Sequence, residues 1–204
     1  MLKYSPLLAA ALLLNGCSNN SQQLYVDQVQ ASGTPIAHSF QEAVRLSPAV
    51  QLPVNRGLFP TRWEISATDP RIASGAEHSN YRLFEFLLRK GQRYEINVIS
   101  MCNNMCMGLA KTALKPKAVV LDMKGNVVAA NLAGPNALTI DWTGAAPADG
   151  VYLLMVAADN RAPGEQVSVI NTQVPGHPTL SMPIGMASAP FGKVIAYVQY
   201  PSEQ

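Results

Sequence analysis

Polar and apolar residues alternate with a period of two along most of this chain. In Arg93-Tyr94-Glu95-Ile96-Asn97-Val98-Ile99, the residues Tyr94, Ile96 and Val98 point one way and Arg93, Glu95 and Asn97 the other. That pattern makes a half-buried antiparallel strand. The same reading predicts strands over 49–54, 62–67, 81–88, 93–101, 117–123, 127–131, 138–143, 150–158, 167–171 and 193–200. Gly-containing turns punctuate the runs at Lys90-Gly91-Gln92, Lys124-Gly125-Asn126, Asp149-Gly150 and Pro175-Gly176. Arg89–Gln92 and Met123–Asn126 each read as a hairpin connection between neighbouring strands. One stretch breaks the period. Over 39–47, Phe40, Ala43, Val44 and Leu46 fall on one side of a helix, Ser39 stands at the N-cap with Glu42 at capping-box spacing, and Pro48 ends it. Many short strands and one short N-terminal helix predict a mainly β fold, an antiparallel β-sandwich of jelly-roll or immunoglobulin-like type.

Two irregular stretches interrupt the strands. Residues 103–115 follow a cluster of sulfur-bearing side chains, and residues 175–190 hold four prolines. The second is expected to be a long loop, lying across the sandwich or reaching a partner, with Met182, Pro183 and Met186 as partner-binding candidates.

The start of the chain has a different character. Lys3 is its only charge, and an apolar run over 7–14 is too short to span a bilayer as a helix but has the length of a signal-peptide core. It ends in Leu14-Asn15-Gly16-Cys17, which resembles the lipobox of bacterial lipoproteins. The resemblance implies a signal peptide over 1–16, cleavage before Cys17, and lipid on Cys17 as the membrane anchor. Ser18 in place of an aspartate resembles the outer-membrane sorting signal, with the body on the periplasmic face. Polar residues follow, so 17–38 is expected to be a flexible tether and 39–204 a single domain.

Composition narrows the function classes. The chain has 204 residues, of which 48% are hydrophobic and 14% charged, with a formal charge of +2. That suffices for one sizeable core. There is no basic run interleaved with aromatics, so nucleic acid is not an expected partner. With Cys17 lipidated, Cys102 and Cys106 form an even pair in an oxidising compartment, and a local disulfide is the default. The surrounding Met101, Met105 and Met107 leave copper handling as a lesser alternative.

Catalytic signatures are thin. His38, His78 and His177 stand apart, without metal-ligand spacing, and neither nucleophile nor phosphate-loop motifs occur. No cofactor, metal or enzymatic activity is expected. Trp63 and Trp142 are candidates for stacking on sugar rings, although a tryptophan in a sandwich strand is more often core.

A further resemblance covers residues 80–200. Val120-Leu121-Asp122, then Tyr152-Leu153-Leu154-Met155-Val156, then a Pro-rich stretch before a last strand, are similar in order to the maltose operon periplasmic protein family. It implies an exported sandwich and supplies no catalytic residues. The expected function is therefore binding: a protein partner in a cell-envelope assembly, with a carbohydrate or peptidoglycan module as the alternative. A second copy of the chain is a further possible partner.

Overall fold

The computed structural model describes residues 21–103, 111–130, 132, 134, 136–174 and 177–201, with side chains described outside 170–184. The fold is a β-sandwich. Its large sheet has the order β1 (Ile36–Ala37), β4 (Arg71–Ser74), β5 (Glu77–Leu88), β11 (Gly150–Ala158), β8 (Pro116–Asp122) and β9 (Val127–Ala129), with β2 (Ala49–Gln51) also pairing β5. The facing sheet has the order β10 (Thr139–Ala145), β6 (Arg93–Ser100), β14 (Gly192–Gln199) and β3 (Trp63–Ile65). A third sheet holds β12 (Gln166–Val174), β13 (His177–Ala189) and β7 (Lys111–Leu114).

The main core lies between the first two sheets. Phe84, Phe86 and Leu88 of β5, with Tyr152, Leu154 and Val156 of β11, pack against Tyr94, Ile96 and Val98 of β6 and Val194, Ala196 and Val198 of β14. Burying each such side chain contributes about 1.5–3 kcal/mol. This packing overturns the expected hairpin at Arg89–Gln92. β5 pairs with β11 and β6 with β10 and β14, so the turn carries the chain from one sheet to the other. Two alternating strands joined by a tight turn can pair edge to edge or stack face to face. Here the apolar faces meet across the core. The Met123–Asn126 turn does close a hairpin, between β8 and β9.

The large sheet is also covered on its outer side. Helix α2 (Phe40–Leu46) lays Phe40, Ala43 and Val44 over Tyr81, Leu83, Val119, Leu121, Leu153 and Met155. Burial on both faces explains why β11 is apolar at almost every position and does not alternate. The capping of α2 follows the sequence with one shift. Ser39 Oγ accepts from Glu42 N at 3.2 Å, and Glu42 Oε2 accepts from His38 N at 2.8 Å, one residue before the cap.

Three expectations need correction. The tether expected over 17–38 is folded from Ser21 onward. Helix α1 (Ser21–Tyr25) runs into a π-helical turn, Val26–Gln30, and Tyr25 and Val29 are buried. β1 then pairs in parallel with β4. The holding group is Arg71 of β4, a strand in a stretch expected to be a loop. Arg71 is 3% exposed. Nη1 donates to the carbonyls of Val29 at 2.6 Å and Gln30 at 3.3 Å, and Nη2 to those of Ser32 at 2.7 Å and Thr34 at 2.6 Å. A buried cation whose four terminal N–H groups all meet carbonyls, with Nε left unpartnered, adds to the burial of Tyr25 and Val29 in tying this polar segment to the sheet.

Over His177–Ala189 the expected long loop is strand β13, antiparallel to β12 and, from Met186 to Ala189, parallel to β7. Pro183 pairs with Asn171 of β12. Among the described residues, β7 reaches β13 only beyond it, so Pro183 lies where β13 is paired on one side only. The irregular stretch over 103–115 likewise contains β7, while 104–110 lie outside the described residues.

Candidate functional site

Helix α2 has seven residues, about 10 Å of length, and β5 has twelve, roughly 40 Å. The helix therefore covers only part of the outer face. Beyond it, Leu87 of β5 lies directly opposite Val151 of β11. Met123 follows Asp122, which pairs with Tyr152 on the other edge of β11. Leu87 and Val151 on paired strands, and Met123 in the turn just beyond β8, form a row 64%, 38% and 52% exposed respectively. Val127, opposite Leu121, is exposed next to them. With strands about 4.8 Å apart, the row from Leu87 to Met123 is roughly 10 Å long.

Cations rim this strip. Arg89 and Lys90 occupy the turn after β5, Arg93 opens β6, and Lys124 occupies the turn after β8. None of the four has an ion pair among the described residues. Two nearby carboxylates are occupied by the turns. Asp149 Oδ1 accepts from Lys90 N at 2.7 Å. Asp122 accepts from Asn126 Nδ2 at 2.7 Å, Asn126 N at 2.9 Å and Lys124 N at 2.8 Å, and these bonds, the Asn126 side chain first, together with the charge of Lys124, hold its pKa below the ordinary value against desolvation. The turn N–H groups are spent too. Arg89 N donates to Gln92 Oε1, Gly91 N to Ala146 O and Gln92 N to Arg89 O. Any anion held here must be held by side chains. A cleft of about 810 Å³ adjoins the strip, lined by Val54, Leu87, Arg89, Lys90, Arg93 and Tyr200 among others.

A second exposed apolar pair, Leu58 and Phe59, stands on the loop between β2 and β3. The loop turns through left-handed conformations at Asn55 and Gly57, with φ of 64° and 68°.

The opposite end of the sheet carries a polar cluster. Asp159 is buried, and Arg161 Nε and Nη2 donate to its two oxygens at 2.7 and 2.6 Å. Lys115 Nζ lies 3.1 Å from Asp159 and 2.5 Å from Glu165. Burial alone would raise the Asp159 pKa, but the Arg161 and Lys115 hydrogen bonds hold it well below the usual carboxylate range. Glu77 Oε1 accepts from Lys117 Nζ at 2.7 Å, Ser79 Oγ at 2.8 Å and Asn160 N at 2.7 Å. Asp159 and Glu77 are each held by several partners that pin strand ends and the loop after β11, and Glu165 pairs with Lys115 at the surface.

The residues singled out by sequence are dispersed. Cys17, Cys106, Met105 and Met107 lie outside the described residues. Cys102 is half-buried and bridges Ala113 of β7. Met182 and Pro183 lie on β13 and not on a loop, and Met186 is buried between strands, out of reach of a partner. Trp63 is half-buried edge-on to Phe84, with ring centroids 5.4 Å apart. Trp142 packs against Tyr94 at 5.6 Å and over Gly144, where a Cβ would stand 2.6 Å from its ring. Both are flanks of the core and are partly covered by it. No three His, Cys, Asp or Glu converge among the described residues. The strip itself was missed, because Leu87, Val151 and Met123 are read as ordinary strand positions until the coverage of α2 is known.

No family model matches the chain, and no curated protein matches it. Among solved structures, it is similar to the pre-peptidase C-terminal domain of collagenase from Bacillus anthracis, at 13% identity and a TM-score of 0.37, over 74% of this chain and 95% of that one.

Proposed function

We propose that the chain is a lipid-anchored, non-catalytic protein of the outer membrane's periplasmic face, which binds a protein partner in an envelope assembly through the uncovered outer face of its large sheet. The observation that carries the reading is the row Leu87, Val151 and Met123, apolar and exposed where α2 ends. A soluble body leaves such a row open chiefly where something else covers it. The polar cluster at the other end, where Asp159 and Glu77 each hold several partners, fits a structural role.

The anchor is the lipobox Leu14-Asn15-Gly16-Cys17. Ser21 is buried, 3.8 Å from where a Cβ of Gly164 would lie, so at most four chain steps separate a lipidated Cys17 from the folded body. Those steps span about 14 Å fully extended. The body thus lies against the bilayer, in place of the long tether first expected. β5 starts beside α1, where His78 N donates to Tyr25 Oη at 3.1 Å, and ends at the apolar row. The row stands roughly 30 Å along the strand from the anchored end. The carbohydrate alternative would use Trp63 and Trp142, whose rings are already engaged with Phe84 and Tyr94.

Two measurements test this. Mass analysis of the N-terminal peptide and membrane fractionation should find a lipidated Cys17, and Cys17→Ser should leave unprocessed or soluble protein. A photo-crosslinking residue at position 87 should trap a discrete envelope protein, and the same residue at Asp141, on the far sheet, should not. An unlipidated, wholly soluble protein would end the anchor reading, and no product from position 87 would end the partner reading.

A further inference from the structure

We infer that Leu58 and Phe59 insert into the interfacial region of the lipid bilayer, as a second membrane contact beside the anchor. This rests on the lipid-anchor reading above and says how the anchored body sits on its membrane. Three observations point to it. First, the two side chains are adjacent and 87% and 89% exposed, and no other large apolar side chain among the described residues is as open. Single apolar residues on a surface need no explanation, but a bare Leu-Phe pair does. Second, the loop is held out from the body. At one foot Asn55 N donates to Val198 O at 2.8 Å and Val198 N to Pro53 O at 2.9 Å. At the other foot Trp63 pairs with Val194. Val194 to Val198 is about 13 Å along β14, whereas the eight chain steps from Asn55 to Trp63 reach roughly 28 Å when extended. The exposure of Leu58 and Phe59 places the surplus chain off the sheet edge, where β3 is the last strand. Left-handed turns at Asn55 and Gly57 and the ring of Pro60 stiffen it.

Third, the loop lies on the anchored side. Leu24 of α1 lines one cleft with Glu64 of β3, Gly192 and Lys193. The helix that begins four residues after Cys17 therefore rests against the short strand that leaves the loop. That strand has three residues, about 10 Å. A convex apolar tip needs a fitted pocket in a protein, whereas fluid lipid closes around it unaided. Lipid held within reach through Cys17 also meets the tip at high effective concentration. Charge does not choose the occupant. Arg56 and Arg62 lie in the loop and Lys193 beside its base, but Glu64 follows Arg62 by two residues, and Glu95 and Asp141 share with Arg56 the surroundings of Tyr197. Three cations against three acids leave the region near neutral. The contact is thus apolar, with the stems of Arg56 and Arg62 lying along the interface and their heads in water. It calls for no anionic lipid and is insensitive to salt.

The test uses the purified full-length protein in phosphatidylcholine vesicles, with Phe59→Trp as the reporter over the background of Trp63 and Trp142. Emission from position 59 should shift to the blue and be quenched by lipids brominated on the upper acyl chain, at low and high salt alike. Leu87→Trp, at the apolar row, should stay unquenched. In vesicles, trypsin should cut after Arg56 about tenfold more slowly than in the double variant Leu58→Ser/Phe59→Ser, whose bare loop tip is open to nicking. Both positions are exposed, so that variant should keep the thermal melt and the membrane fraction of the wild type. Water-like, unquenched emission from position 59 in protein that floats with the vesicles would overturn this inference and leave the anchor standing. Equal trypsin rates would overturn it too. So would a blue shift without bromine quenching, which gives the tip to a second copy. A chain without lipid on Cys17 that fails to float would end the anchor reading. Vesicles added to that chain would then decide the tip by itself: quenching at position 59 keeps it as a membrane contact, and none removes it.

Discussion

Arg71 Nη1 donates to the Val29 carbonyl at 2.6 Å, joining a strand of the large sheet to a segment forty-two positions earlier in the chain. Three more carbonyls complete the guanidinium's terminal donors. Burial lowers the pKa of this side chain, while the four acceptors engage its terminal nitrogens and leave only Nε unpartnered. Arg71→Leu should destabilise the protein by roughly 3 kcal/mol, since it leaves buried carbonyls unpaired. Denaturant unfolding would measure that loss. Limited proteolysis should then cut within 26–38 while the sandwich persists. Arg71→Lys should recover only part, because a point charge cannot reach carbonyls on both arms of the guanidinium fork.

Tyr81 and Tyr94 set the alkaline limit of the fold. Burial first, then the charge of Glu42, pushes Tyr81 up to about 12, and burial with Tyr152 nearby does the same to Tyr94. The folded state holds both phenols neutral where the unfolded chain ionises them near 10. Their contribution is fully present below pH 10 and disappears as pH rises through about 12. Tyrosinate absorbance should therefore appear together with unfolding in that window. Tyr81→Phe should cost about 1 kcal/mol at neutral pH, for the hydrogen bond from Tyr81 Oη to Ala43 O at 2.8 Å, and should blunt the alkaline loss.

Asp159 sets an acid limit by the opposite sign. Its carboxyl is held well below the ordinary value, so the stability it confers is complete above about pH 4 and is lost as pH falls through its depressed pKa. Asp159→Asn should flatten the acid-denaturation profile. At neutral pH it should cost roughly 2 kcal/mol, less than the 3–5 of a fully buried pair because Arg161 is largely exposed.

Cys102 and Cys106 are expected to form a disulfide in the exported protein. Closing so short a loop contributes less than the roughly 3 kcal/mol of a 15-residue loop. Cys106→Ser should thus lower the melting temperature slightly and leave the sandwich intact. Peptide mapping without reductant checks the bond. Two free thiols in protein taken from the periplasm would contradict it.

Deleting residues 182–189 should unfold the protein. The segment supplies most of the β13 register against β12 and all of it against β7. Far-ultraviolet circular dichroism of that variant would detect the loss.

Several features were written locally in the chain. Alternation in β6 and continuous apolar runs in β8, β11 and β14, bounded by turn residues, placed these strands within a residue or two, because both patterns report how one strand is buried. Ser39, Glu42 and Pro48 marked α2 because caps act over three or four residues.

What only the tertiary structure decided depends on partners far along the chain. A turn at Gly91 is compatible with a hairpin or with a crossing between sheets, and the core contact of Phe86 with Tyr94, 5.9 Å between ring centroids, selects the crossing. Residues 21–38 are polar enough to read as a tether. They fold because Arg71, distant in sequence, collects their carbonyls. Prolines made 175–190 look like a loop, but a strand with one ladder tolerates a missing donor. The apolar row at Leu87 and Val151 is the same case: each residue alternates correctly in its own strand, and only the short reach of α2 leaves them uncovered. Periodicity reports that a side is apolar; what covers that side is set by the packing of the whole chain.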